Sequence, residues 1–273
     1  MIEAIQFLLA PFCACVIMVA LFGYLGIHVL KREIIFIDIA LAQIAAVGAT
    51  VAHLFFHAEE HSLFAFLSSF GFTVMIAIFY SQVGKRIKQI PHEAIIGVSY
   101  AIAAAAALFL LATAAGGDVH LEHMLTGSIL WADWHEIMQV GTVFGLVGLF
   151  HFIYRNRFIK FSDEMDKADH HEKSSLWDFL FYVSMGLVIT LSVHLAGVLV
   201  IFSFLIIPAT ISAFFATSWM NRVFIAWIVG ILSIISGLAF SYRFDYSCGP
   251  SVVLFLGLFL IIGAIIPKKQ IHR

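Results

Sequence analysis

The sequence predicts an all-α fold, a polytopic bundle of transmembrane helices, and three observations carry that prediction. Hydrophobic residues make up 62% of the chain and charged residues 12%, against about half and about a quarter in soluble domains. The mean hydropathy is +1.01. A soluble fold could not hide so much apolar surface, because more than half of a globule's accessible surface is apolar already. The charges that remain fall in clusters separated by apolar runs of about 20 residues, the length that crosses a hydrocarbon core of about 30 Å.

Taken in order, the runs give spans over 5–30, 34–56, 63–83, 94–115, 136–154, 177–195, 198–217, 223–241 and 250–267. Each must be helical, because backbone amides find no water in the bilayer. The break at Leu195-Ala196-Gly197 leaves almost no loop, so eight spans is the alternative if it is only a kink. The first run is not expected to be a cleaved signal: Met1-Ile2-Glu3 carries no positive charge, and the run that follows exceeds the length of a signal core. Under nine spans, fourteen of the fifteen Lys and Arg fall on one side, in segments 31–32, 85–88, 155–173, 222 and 268–273. Only Arg243 falls on the other. The positive-inside rule assigns the basic side to the cytoplasm, with the N-terminus outside and the C-terminus inside.

The whole chain, 1–273, reads as one membrane domain. Its one sizeable polar segment, 155–176, is too short to fold alone and is expected to dock a partner, the alternative being a solvated connection. The net charge of -2 says nothing about nucleic acid, but no basic arm of the kind such a partner needs is present, so none is expected. Cys13, Cys15 and Cys248 make no paired framework, and Cys13 and Cys15, two apart in an apolar run, read as small core residues.

Two of the outer loops carry His57, Glu59, Glu60 and His61, then Asp118, His120, Glu122 and His123, with no Lys or Arg between them. Imidazole and carboxylate together suit a divalent transition metal, with His53, His57 and His61 as candidate ligands. The plainer reading is polar loop filler. Within the second span, Gln43, Thr50, His53 and His57 fall on one helical stripe, with Asp38 nearer the inner end. Polar groups at membrane depth are expensive and are expected to line a path. The alternatives are a helix-dipole contact for Asp38 and an interhelical hydrogen bond for Gln43. Ala101, Ala103 to Ala107, Gly141, Gly145 and Gly148 read as packing residues, and Pro208 marks a candidate broken helix.

No catalytic residue is assigned. His92-Glu93, His135-Glu136 and His171-Glu172 never extend to His-Glu-x-x-His, and no Gly-x-x-x-x-Gly-Lys-Ser/Thr loop occurs. ATP hydrolysis, if used, belongs to a separate chain, and no stably bound cofactor is expected.

Several segments in shared order resemble the permease family of zinc- and manganese-type ABC transporters over nearly the whole chain. They are Pro11, Lys31-Arg32, Asp38-Ile39-Ala40-Leu41-Ala42-Gln43, Glu93-Ala94-Ile95-Ile96-Gly97, the stretch Leu121 to Leu130, Ala196-Gly197-Val198-Leu199 running to Leu205-Ile206-Ile207-Pro208-Ala209-Thr210, and Asp245-Tyr246-Ser247-Cys248-Gly249. The sequence departs from the family's Asp-Ala-Leu-Ser-His by placing Gln43 where the His stands. Its inner loop keeps only Phe161-Ser162-Asp163-Glu164 of the coupling motif. The resemblance implies a multi-pass permease of the bacterial cytoplasmic (inner) membrane that imports a divalent ion, zinc or manganese, by alternating access. It implies a second copy of this chain, two copies of a cytoplasmic ATP-binding subunit coupled through Asp163 and Glu164, and an extracytoplasmic solute-binding protein. The alternatives are import of a metal chelate of haem, cobalamin or siderophore type, an intramembrane metalloenzyme, or a membrane assembly factor.

Overall fold

The structure, a computed structural model, describes residues 2–59, 62–86, 89–111, 127, 129–165 and 175–266. Among the described residues the chain folds into α-helices and one 3-10 turn, with no strand. The helices are α1 (Ile2–Lys31), α2 (Ile37–Phe56), α3 (Leu63–Arg86), α4 (His92–Leu111), α5 (Trp134–Ile153), α6 (Arg155–Met165), α7 (Ser175–Phe215), α8 (Trp219–Phe244) and α9 (Cys248–Ile265); the 3-10 turn is Ile129–Trp131.

Local chemistry sets the ends. Before α5, Asp133 Oδ1 accepts the Glu136 amide at 2.7 Å while Glu136 Oε2 accepts the Asp133 amide at 3.5 Å. This reciprocal cap satisfies two otherwise orphaned amides. Glu136, met in the sequence as half of a His-Glu pair, is thus used as a helix cap. Ser218 caps α8 by accepting the Asn221 amide at 3.4 Å, and His57 (φ 53°) and Asp245 (φ 58°) close α2 and α8 in the left-handed conformation.

Nine helical segments among the described residues are long and apolar enough to cross a membrane. Helix α7 supplies two of them, a first arm (Leu176–Val193) and a second arm (Leu195–Phe215). Gly197 separates the arms with φ 76° and ψ 157°, a conformation that only glycine adopts without strain. Gly127, itself at φ 64°, lies against the backbone of Ala196 and Gly197 so closely that no side chain would fit there. The interruption is therefore at Gly197. Pro208, the expected site of a broken helix, sits within a helical stretch that runs on through it.

The chain divides into two compact units. The first comprises 1–30, 126–145 and 195–273. Here α1 meets the second arm of α7 at Gly26, where a Cβ would overlap the Leu205 carbonyl. Helix α8 meets α1 at Gly230, whose Cβ would stand 2.6 Å from Val19 Cγ1, and Trp227 Nε1–H donates to the Ala20 carbonyl at 2.9 Å. Helix α9 packs on α8. Small residues at these crossings let backbones approach, which matters where lipid removes the hydrophobic drive for association.

The second unit comprises 31–125 and 146–194. In it α2 packs on both α3 and α4. Gly48 faces the Ser69 backbone, and Ser68 Oγ donates to the Gly48 carbonyl at 2.7 Å. The same unit holds α6 and the first arm of α7, so the polar part of α2 and the short polar helix belong to one packed body.

Candidate functional site

Helix α2 places Asp38 in its first turn. The residue is 1% exposed, and neither carboxylate oxygen has a hydrogen-bond partner among the described residues; its own amide and that of Ile39 lie alongside. A buried carboxylate without a partner is costly and calls for a cation, a proton or water. Gln43 is also buried, at 7% exposure, and makes no hydrogen bond among the described residues. Five positions separate it from Asp38, a turn of about 140° around the helix. The two polar groups therefore leave α2 in different directions.

The expected stripe divides along its length. Gln43 and Thr50 are buried, and Thr50 Oγ1 donates to the Ala46 carbonyl of its own helix at 2.8 Å. His53 and His57 are exposed at the far end. His53 Nδ1 lies 3.0 Å from the Ala58 carbonyl; facing an acceptor, that nitrogen carries the proton, which leaves the Nε2 lone pair outward. A backbone carbonyl fixing the tautomer in this way is the usual support of a metal-binding imidazole. Glu59 is exposed beside it, while Glu60, His61, His120, Glu122 and His123 lie outside the described residues. No cluster of three or more His, Cys, Asp or Glu forms among the described residues.

The second half of the site gathers around α6. Its sequence puts Phe158, Phe161 and Ser162 on one face, and Phe158 and Ser162 are fully buried while Arg155, Arg157 and Lys160 are exposed. Asp163, expected to couple to an ATPase, pairs with Lys31 of the same chain at 3.1 Å. The side chain of Glu164 is outside the described residues. Next to this pair, Arg32 Nε–H donates to Ser162 Oγ and Nη1–H donates to Asp178 Oδ1, both at 2.9 Å. Phe158 stacks on His151 with ring centroids 4.1 Å apart, and His151 Nε2 bonds Ser184 Oγ at 2.9 Å.

Sequence reasoning missed a third group. Tyr80, His92 and Tyr182, on α3, α4 and α7, form a triangle with centroids 6.2, 5.9 and 6.0 Å apart. The two hydroxyls and His92 Nε2 are buried and make no hydrogen bond among the described residues, while nearby Ser99 gives its own hydroxyl to the Ile95 carbonyl. The only signal in the sequence is polar aromatic residues near the ends of apolar runs.

Known proteins resemble this chain throughout. It is 21% identical to the manganese transport system membrane protein MntC of Listeria monocytogenes, over 91% of this chain and 86% of that one. It is 25% identical to the chelated iron transport system membrane protein YfeD of Yersinia pestis, over 74% and 66%. The solved structure of PsaBC from Streptococcus pneumoniae in complex with Fab shares the fold, with a TM-score of 0.79 at 22% identity over 98% and 96% of the two chains. The ABC 3 transport family matches residues 4–266. This chain belongs to that family, as a multi-pass membrane subunit of a metal ABC transporter.

Proposed function

We propose that the chain, as one permease domain over 1–273, imports a divalent metal ion, zinc or manganese, across the bacterial inner membrane. A separate cytoplasmic ATPase drives it, present in two copies beneath a dimer of this chain, and an extracytoplasmic binding protein delivers the ion. The observation that carries the reading is Asp38, a buried carboxylate with both oxygens unpartnered among the described residues, in a chain of this family. An incoming cation would supply the missing partner.

The residues take their roles in sequence along α2. His57, His53 and Glu59, with Glu60, His61, His120, Glu122 and His123, attract the ion at the outer face, and the outward Nε2 of His53 is its first imidazole ligand. Gln43 contributes a neutral carbonyl oxygen, which binds weakly and lets the ion leave as readily as it enters. Asp38 holds it near the inner end. ATP-driven closure of the partner moves α6 and switches the path from outward- to inward-open.

A second reading is import of a metal chelate. The name of the YfeD relative favours it, as does Gln43, which is a poorer ligand than histidine for a bare ion. A deletion strain separates the two. Growth restored by free zinc or manganese supports the ion, growth restored only by a metal chelate supports the second reading, and indifference to both would sink each of them.

A further inference from the structure

Arg32, in the short link between α1 and α2, ties several elements of the second unit together. Its side chain is fully buried. One edge of the guanidinium bonds Ser162 of α6, another bonds Asp178 in the first turn of α7, and its face lies 4.0 Å from the Phe181 ring centroid, with Phe161 at 5.3 Å. Lys31, its neighbour, holds Asp163 of α6. Two successive cations thus bind two successive polar residues of one helix. Arg32 also bonds α7, and it stands six residues before Asp38.

The chemistry of this arrangement constrains motion. A planar fork with fixed donors cannot follow Ser162 and Asp178 independently, as a flexible ammonium could. A buried cation cannot shed an anionic partner and remain stable. Displacement of α6 must therefore carry α7 with it or break the pair outright, and such all-or-none contacts are what couple distant events.

We infer that Arg32 is the positioning residue that transmits movement of α6 to the first arm of α7 and to the segment leading into Asp38, with Lys31–Asp163 as its companion latch. The inference rests on the importer reading and makes it specific. Asp163 acts in coupling through its ion pair with Lys31.

The test uses the full complex of permease and ATPase reconstituted in lipid vesicles, reading ions accumulated per ATP hydrolysed alongside co-purification of the ATPase. Arg32→Gln should lower that ratio by about tenfold or more, since it removes both charge-assisted bonds. Arg32→Lys, which keeps the charge but loses the fork, should lower it by a smaller factor. Lys31→Asp and Asp163→Lys should each lower the ratio, and the double exchange should recover it. A purely structural role would reduce the yield of complex while leaving the ratio per assembled complex unchanged. An unchanged ratio in Arg32→Lys together with no rescue in the exchanged pair would overturn the inference, also where Arg32→Gln fails to fold. Failure of the wild-type chain to assemble with any ATPase would instead remove the importer reading, and this inference with it.

Discussion

Replacing Gly197 by alanine isolates the device that makes two spans from one helical run. At φ 76° and ψ 157° an L-residue pays a conformational cost on the order of 1–3 kcal/mol. Gly145 provides the control: it is helical, and a Cβ built on it meets nothing within 4 Å. Alanine there should be neutral or stabilise by up to about 1 kcal/mol, through helix propensity. The Gly197→Ala cost corresponds to a roughly five- to 150-fold smaller ratio of folded to unfolded protein. The assay is the temperature at which half of the detergent-purified protein leaves the monodisperse peak in size-exclusion chromatography. Gly197→Ala should melt clearly below wild type and Gly145→Ala at or above it. A Gly197→Ala protein as stable as wild type would show that the junction does not depend on glycine's left-handed freedom.

Other outcomes follow from the same packing and site. Gly48→Val should destabilise the second unit by about 1–3 kcal/mol through overpacking, because its Cβ would stand 2.8 Å from Ser69 Cα; unchanged stability in the same chromatographic assay would refute that close approach. Gln43→Leu and His53→Ala should each lower metal uptake while leaving expression and ATPase association intact, and wild-type uptake in both would return these residues to packing roles. Cysteines placed at 60 and 120 should react with an impermeant thiol reagent on intact cells, and those at 85, 167 and 269 only after permeabilisation. Labelling of position 167 from outside would overturn the orientation.

The spans were legible because a membrane helix is specified by length and apolarity alone, and both are local properties. The start of the eighth span shows the limit. Charge alone places it after Arg222, yet the helix begins at Trp219, where Ser218 caps it and the Arg222 guanidinium finds Ser212 Oγ at 3.5 Å. The Asp133–Glu136 cap was also legible as Asp-x-x-Glu ahead of an apolar run. The overlapping His135-Glu136 pair looks like half of a metalloprotease signature and masks the cap. Pro208 illustrates the converse, since proline is tolerated in a transmembrane helix when neighbours satisfy the freed carbonyl. The α2 stripe was half legible: periodicity aligned Gln43 with Thr50, but could not tell that Thr50 would spend its hydroxyl on Ala46. The Arg32 cluster was not legible at all. Its partners lie 130 and 146 residues away, and no periodicity or motif reports a contact at such separation.

The most direct test of metal import is ATP-dependent accumulation of radiolabelled manganese or zinc in vesicles holding the purified permease, its ATPase and the loaded binding protein, with wild-type and Asp38→Asn chains compared side by side. Wild type should accumulate at least one of the two free ions only when ATP is supplied. Asp38→Asn, which keeps the shape but removes the charge, should assemble normally and lose most of that accumulation. Accumulation of neither free ion by an assembled, ATP-hydrolysing wild-type complex, or full accumulation by Asp38→Asn, would contradict a metal path through the buried carboxylate of α2.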